Sequence, residues 1–224
     1  MYKAFLFDLD GTLVDTAPDL HLALNYTLNQ VDLGPVSLAL TRHWVGHGAR
    51  VMIDQALKDL EAGDAIKEQI DVLHTHFLTY YSSNIAVKSI PFGDAEELLE
   101  RLADLAIPMG VVTNKFYQLS FELLKALDLY KYFDVLVGGD TLQVQKPEAE
   151  PALYACNELD VDPNRVLFVG DSKTDIACAK AAGCDVAIIR NGYNQGEDPS
   201  TLGASLVFDS FLELLDESGS QNLS

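Results

Sequence analysis

The chain has 224 residues, enough to bury a sizeable core as one large domain or as one domain with a smaller insert. Its 15 basic and 34 acidic side chains give a formal charge of −19, which repels nucleic acid and anionic membranes and removes both from the expected partners. No apolar run approaches the roughly 20 residues that a bilayer span needs and no charged-then-apolar leader opens the chain, so the expected setting is cytoplasmic.

Residues 3–7 form a short apolar run of buried-strand type that ends in Asp8 and Asp10. On an extended chain these two side chains point the same way. Gly11 then allows a sharp exit, and the Thr12 hydroxyl can hold the turn. Two carboxylates this close repel each other, so the pair makes physical sense if a cation is bound or one carboxyl is protonated. Taken alone, the stretch also fits a turn without chemistry.

From residue 16 to about 89 the periodicity is helical and nothing suggests a strand pair. Helices are predicted at 17–31, 37–44, 49–60 and 64–82, a small bundle; Leu20, Ala23, Leu24, Leu28 and Val31 mark one face of the first, with Pro18 in its opening turn. Between two of these helices, Gly46 and Gly48 flank His47, and Arg50 follows. These four residues are the insert's candidates for meeting an anion, because glycines let backbone N–H groups approach and an arginine pairs with carboxylate or phosphate. An ordinary interhelical turn explains the same residues. His21, His43, His74 and His76 are read as non-ligands, and Cys156, Cys178 and Cys184 as reduced structural thiols.

From residue 90 the pattern changes to alternation. Predicted helices at 93–105, 116–127, 151–159, 174–182 and 211–215 alternate with apolar strands at 108–112, 133–137, 166–169, 186–189 and 206–208. This is the signature of an α/β protein with a doubly wound, Rossmann-like parallel sheet covered on both faces. Residues 1–15 and 90–224 form that core in this reading, residues 16–89 an inserted α-helical domain, and the Ser/Gly/Asn-rich stretch 217–224 a frayed tail.

In such sheets ligands bind at the carboxyl ends of the strands. The polar residues there are Asp8 and Asp10, Thr113-Asn114-Lys115, Gly138-Gly139-Asp140-Thr141, and Asp171-Ser172 with Asp175; Lys146 follows in the loop after the strand at 133–137. Asp8, Asp10 and Asp171, with waters and one substrate oxygen, make the hard oxygen shell that Mg²⁺ takes, and the ion would polarise a phosphoryl group. Lys146 adds a fixed positive charge, and Thr113 with nearby backbone N–H groups can donate to phosphate oxygens.

In order and spacing, Asp8-Leu9-Asp10-Gly11-Thr12, Val112-Thr113-Asn114, Lys146-Pro147 and Gly170-Asp171-Ser172-Lys173-Thr174-Asp175 resemble the four motifs of haloacid-dehalogenase-superfamily phosphatases. The resemblance implies that Asp8 attacks phosphorus to give an aspartyl-phosphate, and that Asp10 protonates the leaving alcohol and then activates water. It implies further that Thr113, Asn114 and Lys146 bind phosphate, that Asp171 completes a Mg²⁺ site with Asp8 and Asp10, and that Asp175 orients Lys146 or the metal's waters, with Thr12 and Ser172 in support. The superfamily's dehalogenases lack a carboxylate two residues after the nucleophile, so Asp10 points to a phosphatase. Residues 16–89 would be a mobile cap hinged near 15–18 and 85–91.

Within the superfamily, segments 12–20, 44–50, 138–141 and 191–197 resemble the phosphoglycolate phosphatase family. That implies Mg²⁺-dependent hydrolysis of a small phosphorylated metabolite, 2-phosphoglycolate, to glycolate and phosphate, by a monomer or homodimer. Two departures, the acidic Lys146-Pro147-Glu148-Ala149-Glu150-Pro151 and the cap's His47, leave other small substrates such as sugar phosphates open. A phosphosugar mutase would use the same carboxylates. A phosphonate hydrolase would need a cap lysine, and none stands near Gly46; a receiver-like phospho-acceptor would lack the helical insert.

Overall fold

The computed structural model describes residues 2–217. The chain runs through β1 (Ala4–Phe7), β2 (Val14–Asp15), α1 (Ala17–Asn29), α2 (Leu38–Trp44), α3 (Ala49–Asp59), α4 (Asp64–Lys67) and α5 (Ile70–Ser83). It continues through β3 (Ile90–Pro91), α6 (Ala95–Asp104), β4 (Met109–Val112), α7 (Tyr117–Ala126), β5 (Val135–Val137) and α8 (Glu150–Glu158). The last elements are β6 (Val166–Gly170), α9 (Lys173–Ala182), β7 (Asp185–Ile189), β8 (Leu206–Phe208) and α10 (Leu214–Glu217). Glu217 closes a helix rather than starting a tail, and the fraying expected for 218–224 lies outside the described residues.

Among the described residues, six strands form one sheet in the order β5-β4-β1-β6-β7-β8, every pair parallel. The chain leaves central β1 for β4 and β5 on one side and returns to build β6, β7 and β8 on the other. The strand order therefore reverses beside β1, where a doubly wound sheet opens its binding crevice. β1 is apolar on both faces for the same reason: Phe5 and Phe7 pack into a core with Leu98, Val111 and Leu123, while Ala4 and Leu6 pack opposite with Phe168, Ile176 and Ala179. Truncating Phe7 to alanine would cost about 3–5 kcal/mol.

The helices α1 to α5 have a core of their own, including Leu24, Leu28, Trp44, Ile53, Phe77 and Tyr81. Ser37 caps α2 by accepting from the Leu40 N–H at 3.2 Å. The helix expected over 64–82 is two helices, broken at Glu68 and Gln69. At the neck of the insert β2 and β3 pair antiparallel, Val14 with Pro91 and Asp15 with Ile90. Two residues per strand, one of them proline, carry no period for a sequence reading to detect. Asp19, buried in the first turn of α1, ties the neck further by accepting from the N–H groups of Lys88 and Ser89 and from the Ser89 hydroxyl. No helix among the described residues is long and apolar enough to cross a membrane.

Candidate active site

Asp8 leaves the end of β1, 6% exposed, with its N–H bonded to the Val169 carbonyl at 2.9 Å. Gly11, at φ +88°, makes the turn that follows; a Cβ there would lie 2.5 Å from Oδ2 of Asp171 and from the Tyr193 ring, so glycine serves both the turn and the close approach. Asp171 leaves the end of neighbouring β6 and accepts from the Thr12 hydroxyl at 3.4 Å and the Tyr193 N–H at 2.8 Å. Ser172 caps α9, and Asp175 in its first turn folds back to accept from the Ser172 N–H at 3.0 Å and hydroxyl at 2.6 Å.

Lys146 reaches this cluster from the loop after β5. Its buried ammonium donates to Oδ1 of Asp8 at 2.7 Å, Oδ1 of Asp175 at 2.7 Å and the Val112 carbonyl at 2.8 Å, which engages all three protons. Burial alone would push this lysine down, but Asp175 and Asp8 outweigh it and push it up, so it is a permanent cation. Burial also drives Asp8 up to about 7, opposed by Lys146 and helped by Asp175 and Asp10. Asp171, crowded by Asp175 and Asp8 as well as buried, is raised well above the usual carboxylate range.

Ligand oxygens of Asp8, Asp171 and Asp175 lie within 4.8 Å of one another. This cluster differs from the expected trio, because Asp175 takes part and Asp10 does not. Oδ1 of Asp10 is held at 2.8 Å by the ammonium of Lys115, which draws the carboxylate away from the others. The two oxygens of Asp175 are in turn committed to Lys146 and Ser172, so Asp8 and Asp171 are the carboxylates best placed to serve a cation. Burial first, and then the neighbouring carboxylates, penalise their charged forms; a hard divalent ion would offset both, and the donor set fits one.

Beside Asp8 and Asp10 a cavity of about 330 Å³ opens between sheet and helical insert. Thr113 and Asn114 line it from the end of β4, and Gly46, His47, Gly48 and Arg50 from the insert. The structure thus brings the core candidates and the insert candidates to one space, but with unequal parts. The buried Thr113 hydroxyl accepts from the Lys115 N–H at 3.2 Å, leaving its own proton to donate. Asn114 donates to the Lys146 carbonyl at 3.0 Å and the Gly46 carbonyl at 3.3 Å, joining core to insert rather than offering its amide N–H to the cavity. Gln195 makes a second join, to the His47 ring at 3.0 Å and the Val45 carbonyl at 3.4 Å. Arg50 is half exposed and ion-paired with Asp71 of α5.

Two contributors had no role assigned from sequence. Lys115 stands at a strand end, which was its only signal. Tyr193 was marked only by its place in segment 191–197: its N–H holds Asp171, while its hydroxyl donates to Oδ1 of Asp15 at 2.8 Å and accepts from the Ala17 N–H at 2.7 Å. Arg42 of α2 takes the other oxygen of Asp15 at 2.8 Å. An unbroken chain of bonds therefore runs from the insert through the neck to Asp171.

The sequence profile of the haloacid dehalogenase-like hydrolases matches residues 5–189. A phosphoglycolate phosphatase of Colwellia psychrerythraea is 40% identical over 219 residues, covering 95% of each chain, and one of Escherichia coli K12 is 34% identical over 229 residues, covering 95% of this chain and 91% of the other. Among solved structures, a predicted phosphoglycolate phosphatase of Haemophilus somnus superposes with a TM-score of 0.90 at 33% identity, covering 97% of this chain and 98% of that one. With its sheet order, its strand-end carboxylates and these relatives in agreement, the chain belongs to the haloacid dehalogenase-like hydrolase family.

Proposed function

We propose that this protein is a Mg²⁺-dependent phosphomonoester hydrolase that works through an aspartyl-phosphate on Asp8, with 2-phosphoglycolate as its substrate. The observation that carries the chemistry is Asp8 itself, a buried carboxylate at the cavity wall held between the fixed cation of Lys146 and the carboxylate of Asp171. The names of the relatives from Colwellia and E. coli support the substrate.

An oxygen of Asp8 attacks phosphorus, the bond from phosphorus to the alcohol oxygen breaks, and Asp10 delivers the proton that this oxygen needs. Asp10 then takes a proton from the water that attacks the aspartyl-phosphate, and Asp8 is released with inorganic phosphate. Esterified Asp8 is no longer an anion. The Lys146 proton that faces it then turns to a phosphoryl oxygen, while Thr113 donates to another and Asp175 keeps the ammonium in place. Mg²⁺ held by Asp8 and Asp171 would neutralise the charge that gathers on the phosphoryl oxygens.

The helices of residues 16–89 act in this reading as a cap, hinged where β2 and β3 pair and excluding water when the Gly46 and His47 contacts to Asn114 and Gln195 are made. Asn114 closes the cap instead of binding phosphate.

The test is release of inorganic phosphate from 2-phosphoglycolate, sugar phosphates and nucleotides, with Mg²⁺ and with chelator. Chelator-sensitive preference for 2-phosphoglycolate is expected. Turnover spread over sugar phosphates would overturn the substrate while leaving the chemistry, and isomerisation without phosphate release would overturn hydrolysis in favour of a mutase.

A further inference from the structure

Lys115 has an arrangement that its pairing with Asp10 does not exhaust. Its side chain is only 6% exposed, yet it lines the cavity. Above it lies Tyr81 of α5, with the ammonium 4.6 Å from the ring centre. Tyr81 also lines the cavity and is 1% exposed; its buried hydroxyl makes no hydrogen bond of ordinary geometry among the described residues and interacts only with the Lys115 ammonium beside it. A polar group that enters the cavity can therefore complete the bonding of this hydroxyl.

The other cations near the reaction are committed. Lys146 serves Asp8 and Asp175, and Arg50 is ion-paired on the surface with Asp71. Much of the remaining wall is apolar, including Leu20, Met52, Phe77 and Leu119. Of the lysine and arginine side chains, Lys115 and Arg50 line the cavity, and of these two Lys115 is the buried one that an anionic group entering beyond the phosphoryl position meets.

Distance in the substrate selects which anion. The acid that serves the leaving oxygen is Asp10, and Lys115 touches Asp10. A group one carbon removed from that oxygen comes to rest beside the same ammonium. In 2-phosphoglycolate that group is the carboxylate.

We propose that Lys115, with the Tyr81 hydroxyl, is the specificity site for a carboxylate borne on the carbon next to the leaving oxygen, and that this carboxylate displaces Asp10 from the ammonium. The assignment rests on the phosphoglycolate reading above. Without such a carboxylate Lys115 holds Asp10, as in the structure; with it, Asp10 is free to turn to the leaving oxygen and the cation is still paired. An analogue that lacks the carboxylate leaves this exchange unmade.

The experiment compares kcat/KM for 2-phosphoglycolate with that for 2-hydroxyethyl phosphate, which has a neutral hydroxymethyl group in place of the carboxylate. The native enzyme should favour 2-phosphoglycolate by roughly 10²–10⁴-fold, as for sites built around one polar group of the substrate. In Lys115→Met the preference should collapse below about tenfold, and in Tyr81→Phe it should fall by about three- to tenfold, the effect of one neutral hydrogen bond. If both substrates lose rate in parallel in Lys115→Met and the preference survives, Lys115 acts on Asp10 alone and the assignment is overturned. A native enzyme with no preference overturns the phosphoglycolate reading and the assignment together. Where Lys115→Met does not fold, Lys115→Arg and Tyr81→Phe carry the test, and an unchanged ratio in both overturns the assignment.

Discussion

Lys146 Nζ lies 2.7 Å from Oδ1 of Asp8, across 138 positions of sequence. The contact joins the loop after β5 to the end of β1, and both side chains are buried. It sets the nucleophile's position before any substrate arrives, and it makes each partner's removal a different experiment.

Replacing Asp8 with asparagine removes the attacking oxygen, so phosphate release should fall by roughly 10³–10⁶-fold. The fold should persist, and its pH response carries the sign of the shift. Asp8 is raised from 3.8 to about 7, so between those values the folded state holds more protons than the unfolded one and stability falls as pH rises. In chelator, the melting temperature of Asp8→Asn should gain on that of the native protein as pH climbs from 4 to 7, and stay level above. A constant difference across that window would show that Asp8 is not the strained carboxylate.

Removing the lysine should act in the opposite direction. Lys146→Met leaves Asp8 and Asp175 buried without their cation, a loss of about 3–5 kcal/mol. Urea unfolding in chelator at neutral pH measures it. Added Mg²⁺ should return part of the loss, because it neutralises the same carboxylates.

For Asp10 the expected signature is kinetic. Asp10→Asn should lower kcat by about 10²–10⁴-fold, the usual contribution of a positioned acid and base. Substrates with a better leaving group, such as aryl phosphates, should lose least, because their oxygen needs the proton least. Equal losses of kcat/KM on alkyl and aryl phosphates would remove Asp10 from protonating the leaving oxygen.

Asp171 can be disturbed without being touched. A Cβ on Gly192 would sit 2.4 Å from Cβ of Asp171 and 2.8 Å from the Gly11 carbonyl oxygen, so Gly192→Ala must displace that carboxylate. The Mg²⁺ concentration for half-maximal activity should rise by roughly 10–100-fold, as when the support of a metal ligand is lost. Titration of activity with Mg²⁺ reads it, and saturating Mg²⁺ should recover most of kcat.

The neck gives a stability prediction. Asp19→Ala leaves the N–H of buried Ser89, and that of Lys88 beside it, without their acceptor, at a cost of about 1–3 kcal/mol. Chemical unfolding should show the loss, with proteolytic nicking near residues 84–90 if the neck opens first.

The pieces of this protein that depend on local pattern were legible without coordinates. An apolar strand buried on both faces needs a continuous run of apolar residues, so β1, β4, β6 and β7 announce themselves, and the carboxylates that end such runs mark the binding edge. Helix periodicity did the same for the insert, with errors confined to breaks such as Glu68–Gln69, where an irregular turn leaves the apolar spacing nearly intact.

What the tertiary structure alone decided is the partner of each charge. Asp8, Asp10, Asp171 and Asp175 are equivalent as letters, and which of them clusters and which is drawn aside depends on lysines 105 and 138 positions away from their partners. Arg50 looked suited to an anion and is taken by Asp71; Lys115 was one polar residue among several at the strand ends, with no role assigned, and is buried against Asp10 and Tyr81. The physical reason is range. Periodicity and turn chemistry act between near neighbours, whereas the energy of a buried charge is set by whatever the fold brings within about 4 Å of it, and distance along the chain does not encode that.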